Sequence, residues 1–121
     1  MITDIDHVQY AMPPGGEDKA REFYIEILGM SEVLKPYLLS ARGGVWFEAG
    51  SAWLHLGVEE NFRPSKKAHA AFRIAANGLR EKLSTAGYPI VDASQPDTAR
   101  FYSEDCFGNR IEFIPDRDLT G

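Results

Sequence analysis

Cysteine is almost absent from this chain of 121 residues: Cys106 stands alone, so no internal disulfide can form, which suits a reducing compartment. Long apolar runs are missing too. Nothing approaches the roughly 20 apolar residues needed to cross a bilayer, and Met1-Ile2-Thr3-Asp4 shows neither the basic stretch nor the apolar run of an export signal. A cytoplasmic protein without a membrane partner is expected. An excess of positive charge is likewise lacking, with 13 Lys and Arg against 18 Asp and Glu and a formal net charge of −5. Non-specific nucleic-acid binding needs a cationic surface to displace counterions from phosphates, so that class is excluded.

What is present is a chain that is 44% hydrophobic and 26% charged, enough for one real core, whereas half of it would be marginal alone. The two halves nevertheless follow the same order. The first runs Asp6-His7-Val8-Gln9-Tyr10, a helical stretch ending at Leu28-Gly29-Met30, then Val45-Trp46-Phe47 and Ala52-Trp53-Leu54-His55-Leu56. The second runs Ala68-His69-Ala70-Ala71-Phe72, a shorter helical stretch ending at Ala86-Gly87-Tyr88, then Arg100-Phe101-Tyr102 and Asn109-Arg110-Ile111-Glu112-Phe113. One domain over residues 1–121 is expected, with modules at about 1–58 and 68–121 and a linker at about 59–67.

The repeat aligns His7 with His69 and His55 with Glu112. All three histidines of the chain and one carboxylate thus fall at corresponding points, a pattern that points to metal ligation. Alternation along the strands gives each side chain a face. Val8, Leu54, Leu56, Phe72, Ile74, Ile111 and Phe113 form an apolar set to pack beneath the helices. His7, Gln9, Trp53, His55, His69, Arg73, Arg110 and Glu112 form the opposite, polar set, as expected for a lined cavity. Glu112 could instead pair with Arg73 or Arg110 in a structural ion pair.

Ile5 to Tyr10 reads as a strand, and Pro13-Pro14-Gly15-Gly16 as a turn. Ala20, Phe23, Tyr24, Ile27 and Leu28 recur at helical spacing from Glu17, with Gly29 as the left-handed stop. A second helix is expected from about Asn77, its cap, to Ala86, ended by Gly87.

On these motifs, most specifically Asp105-Cys106-Phe107-Gly108-Asn109-Arg110-Ile111-Glu112-Phe113, together with Asp6-His7-Val8, Ala20-Arg21-Glu22-Phe23-Tyr24 and His69-Ala70-Ala71-Phe72, the chain resembles the glyoxalase, bleomycin-resistance and dioxygenase group, the vicinal oxygen chelate superfamily. The resemblance implies an α+β fold of two βαβββ modules forming an open, curved mixed sheet, a half-barrel with helices outside. It implies a divalent metal on His7, His55, His69 and Glu112, although glyoxalase I enzymes usually have glutamate at the His55 position and epimerase relatives often have glutamine. It also implies a homodimer with shared sites. Neutral imidazoles and one carboxylate suit zinc, nickel, cobalt, manganese or iron(II).

A metal-dependent enzyme on a small, possibly anionic, oxygen-bearing substrate follows, with isomerase, epimerase, lyase or transferase chemistry. Glu112 would be both ligand and proton shuttle, and Gln9, Trp53, Arg73, Phe101 and Arg110 would contact substrate. A metal-free drug-sequestering protein of the bleomycin-resistance type is the alternative, and an extradiol-type dioxygenase ranks third because a bound His55 would crowd its iron.

Overall fold

The structure, a computed structural model, describes residues 1–75, 78–94 and 99–116. It divides into two compact units, Met1–Pro64 and Ser65–Gly121. The first contains β1 (Val8–Met12), α1 (Glu17–Arg21) continuing as a π-helical segment (Glu22–Ile27), β2 (Ser31–Val33), the single turn α2 (Tyr37–Ser40), β3 (Val45–Ala49) and β4 (Ala52–Val58). The second contains β5 (Ala70–Ile74), α3 (Leu79–Thr85), β6 (Val91–Asp92), β7 (Phe101–Glu104) and β8 (Arg110–Pro115). Each unit forms one four-stranded mixed sheet, ordered β1-β4-β3-β2 and β5-β8-β7-β6. First and last strands pair parallel in both, and the remaining pairs are antiparallel. The α+β class that the family resemblance implies is what the chain adopts.

Register follows from tight turns. In the β3–β4 hairpin Ala49 pairs with Ala52 across Gly50-Ser51, which brings Trp46 opposite His55 and Phe47 opposite Leu54. Leu54, Leu56, Val45 and Phe47 are fully buried on one face, while Trp53 and His55 take the other, because successive strand residues alternate sides. In the second unit Ile111, Phe113, Phe101 and Leu83 are the buried set, with Glu112 and Tyr102 paired on the opposite face. Val8, Phe72 and Ile74 fall on the expected apolar faces but are only half-buried.

Element bounds depart from the sequence reading in three places. β1 begins at Val8 rather than Ile5 and runs to Met12, because Tyr10 and Met12 are the buried side chains whereas Ile5 is 82% exposed. His7 therefore precedes the strand. The first helix changes winding after Arg21: the Leu28 N–H reaches the Phe23 carbonyl at 3.1 Å, a π-type bond. The wider turn buries both Phe23 and Tyr24, with Tyr24 stacked on Phe47 at 5.3 Å. α3 starts at Leu79, just after Gly78 at φ +81°; the proposed cap Asn77 lies outside the described residues.

The turn between β7 and β8 is built on a buried carboxylate. Asp105 Oδ1 accepts the N–H groups of Phe107 and Asn109 at 2.8 and 2.9 Å, and Oδ2 accepts the Asn109 amide at 3.0 Å. Asn109 Oδ1 in turn accepts the Ser65 N–H at 2.9 Å, and the Arg110 N–H donates to the Ser65 carbonyl at 2.8 Å. Asp105→Ala leaves these donors without an acceptor, and a buried unsatisfied donor costs about 1–3 kcal/mol. We expect a loss of about 3 kcal/mol in urea unfolding; a loss under about 0.5 kcal/mol would show that this turn does not hold the hairpin.

Candidate functional site

In the first unit the sheet face opposite the core carries a stack of rings. His55, on β4, lies between His7 and Trp46: its ring is 3.9 Å and 20° from His7, and 3.9 Å and 3° from Trp46. The Asp6 carboxylate stands 2.8 Å from His7 Nδ1. A carboxylate only accepts, so Nδ1 carries the proton and the Nε2 lone pair is left open. Gln9 pairs with His55 across β1 and β4, and its amide fills the space above Gly57, where a Cβ would come within 2.7 Å of it. Trp53 shares this face and is 42% exposed. Trp46, whose place opposite His55 follows from the two-residue turn, is a neighbour that alternation within a single strand does not reveal.

In the second unit His69 immediately precedes β5, and Glu112 sits in β8. His69 Nδ1 is 3.0 Å from the Lys67 carbonyl, and Nε2 is 3.0 Å from Glu112 Oε1. A carbonyl oxygen accepts only, which places the proton on Nδ1 and turns the Nε2 lone pair toward a carboxylate oxygen. Two acceptors at that separation require a positive centre: a second proton on the imidazole or a metal ion between them. Donors about 2.1 Å from one ion and at right angles to each other are themselves about 3.0 Å apart. The pair fits a divalent metal, and neutral imidazole with carboxylate is the donor chemistry of a transition ion.

Glu112 is nearly buried, and its other oxygen, Oε2, accepts from Arg100 at 3.1 Å. The ion-pair partners are thus Arg100 and His69, not Arg73 or Arg110. Arg73 is exposed on β5, and the Arg110 guanidinium lies 4.0 Å over the Tyr102 ring. Phe101, expected at the substrate, is 1% exposed and packs on Phe113 in the core; the ring on the Glu112 side is Tyr102, which meets His69 edge-on. A cleft of about 400 Å³ opens beside Glu112, lined by Arg100, Tyr102, Arg110 and Asp92 among others. Arg100 was missed because it precedes β7, yet it lies two residues from Tyr102, hence on the same side of the chain as Glu112's partner. Its Nε is buried with no hydrogen-bond partner among the described residues.

Within each unit, among the described residues, no group of three or more His, Cys, Asp or Glu side chains is gathered so as to hold a metal. Each unit supplies a pair: His7 with His55, and His69 with Glu112.

Repeated parallel pairing of first and last strands, with a histidine at the head of each unit, defines a class of two-module α+β proteins. The family model for the Glyoxalase/Bleomycin resistance protein/Dioxygenase superfamily matches residues 4–113, and the chain belongs to that superfamily. A solved protein from Bacillus anthracis assigned to the glyoxalase family is 46% identical, with a TM-score of 0.89 over 97% of this chain and 98% of its own. The fosfomycin resistance protein FosX from Listeria monocytogenes shares the fold at 17% identity and TM-score 0.73, over 99% of this chain and 98% of its own. A FosX variant solved with Mn(II) and 1S,2S-dihydroxypropylphosphonic acid gives 18% and 0.75, over 99% of this chain and 96% of its own. No curated protein matches. Among the described residues no helix is long and apolar enough to cross a membrane.

Burial holds the His55 pKa below its ordinary value of 6.5; nearby His7 and Lys35 act the same way and Asp6 opposes them. The unfolded chain therefore takes this proton more readily than the folded one. Stability from this source is complete above about pH 6.5 and is lost as the pH falls below it. Urea unfolding of metal-free protein from about pH 7.5 to about 5.5 should show that decline, and His55→Gln should flatten it. Equal slopes for both proteins would remove His55 as the cause.

Proposed function

We propose that the chain is a divalent-metal-dependent enzyme of the glyoxalase-like type acting on a small oxygen-bearing substrate. The observation that carries this reading is the pairing of His69 Nε2 with Glu112 Oε1 at 3.0 Å, an imidazole nitrogen and a carboxylate oxygen, which is the donor chemistry of a transition ion. In this reading His7 and His55 complete the ligand set, the two pairs coming from one chain or from two chains of a homodimer. The fixed Nδ1 proton of His7 leaves its Nε2 available. A lowered pKa keeps His55 neutral near pH 7, the form in which imidazole ligates.

The ion, zinc, nickel, cobalt, manganese or iron(II), would polarise a substrate oxygen and stabilise the negative charge that develops on it. The chain's own residues do the rest. Glu112 would accept and return a proton through Oε1 on loosening from the ion. Arg100 and Arg110 line the adjoining cleft and supply donors for an anionic substrate group. Arg100 Nε, buried without a partner among the described residues, favours a ligand oxygen there. Tyr102 walls the second unit's cleft, and Gln9 and Trp53 flank the His7–His55 pair in the first. The FosX variant solved with both Mn(II) and a phosphonic acid is a precedent on this fold for a protein that takes a metal and an anionic oxygen ligand.

Metal content by inductively coupled plasma mass spectrometry on untagged protein tests the reading. About one transition metal per chain is expected, lost in His69→Ala and in Glu112→Ala. Asp6→Ala, which removes only the group orienting His7, should weaken affinity by about 10–100-fold. No metal after reconstitution with zinc, nickel, manganese and iron would overturn the proposal in favour of metal-free sequestration of a small molecule.

A further inference from the structure

Glu112 is held at both ends. Its side chain is 9% exposed, with Oε1 directed at His69 Nε2 and Oε2 at the Arg100 guanidinium. The oxygens are not equivalent: one faces an imidazole nitrogen, joined to it by a proton or a metal ion, and the other a permanent cation, since arginine does not deprotonate in proteins. A carboxylate with both oxygens free can take a metal through one or both. Here the second is already committed to a charge-assisted hydrogen bond.

We propose that Arg100 is a positioning residue that divides the carboxylate of Glu112, reserving Oε2 for itself and making Glu112 a ligand through Oε1 alone. The inference rests on the metal reading above. Its consequence is a matter of counting. A Glu112 bound through both oxygens takes two positions on an ion and one bound through Oε1 alone takes one, so the division leaves one more position for a substrate oxygen. Arg100 thus preserves room for a chelating substrate without touching the ion. Neither Arg73 nor Arg110 does this, one being exposed and the other lying over Tyr102.

The test loads the protein with Co(II) and records its visible d–d bands, which report coordination number, alongside the bound metal per chain. Arg100→Met should retain cobalt while its bands shift in position and intensity, because the freed Oε2 joins the ion. Arg100→Lys should keep the wild-type spectrum, since an ammonium still claims that oxygen. Should Arg100→Met fail to fold, Arg100→Gln carries the same expectation, being polar but uncharged. Identical spectra for wild type and the neutral variants at equal occupancy would overturn the division. So would a folded neutral variant that no longer takes cobalt, because Arg100 would then support Glu112 rather than limit it. A wild-type chain that binds no cobalt would strike the metal reading itself and this inference with it, an outcome distinguished by the wild type alone.

Discussion

Parallel pairing of the first strand of each unit with its last is the constraint on which the rest depends. Val8 beside Leu54 and Ala70 beside Ile111 set the registers. Those registers bring His7 against His55, and His69 against Glu112 across 43 residues of sequence. A parallel pair cannot be closed by a hairpin and needs a long crossover. The helix and the two remaining strands of each unit are that crossover, and they also supply the apolar cover: Tyr24 on Phe47 in one unit, and Leu83 in the other, buried on the side of Phe101 and Phe113. Such distant pairing delays folding, because loop-closure entropy is spent before the contacts form.

The chemistry of the proposed ligands is set by neighbours that are not proposed as ligands themselves. Asp6 and the Lys67 carbonyl each fix a proton on Nδ1, so His7 and His69 offer the same nitrogen. One orienting group is a side chain and the other is backbone, which shows that the equivalence of the halves lies in geometry rather than residue identity. Trp46 and His7 enclose the His55 ring and Arg100 restrains Glu112, so the second proposed ligand of each half is held by aromatic stacking in one case and by charge in the other.

Much of this was legible because alternation and repetition act locally. The faces of Leu54, His55, Ile111 and Glu112 follow from period two, and the matched order of the halves foreshadows the matched sheet orders. What escaped depends on neighbours in other strands. Phe101 reads as a substrate contact until pairing with Phe113 assigns it to the core and leaves its neighbour Tyr102, opposite Glu112, at the cleft. Arg100 lies outside any strand, so no periodicity marks it. The π-helical winding after Arg21 is equally hidden, because Phe23 and Tyr24 read as adjacent members of an ordinary apolar stripe until both must be buried at once.

Ser65 has both backbone groups engaged at the head of β8, its N–H by Asn109 and its carbonyl by Arg110. The chain entering the second unit from Pro64 is therefore fastened to the last strand before it reaches β5 at Ala70. In mechanical terms the connecting segment is tethered to the element that carries Glu112, and between Ser65 and His69 it is held again, by the Ser65 hydroxyl on the Ala68 carbonyl and by His69 Nδ1 on the Lys67 carbonyl. A pull along that segment would load the Ser65 bonds to Asn109 and Arg110, and through them the Asp105 turn, before it reached β5.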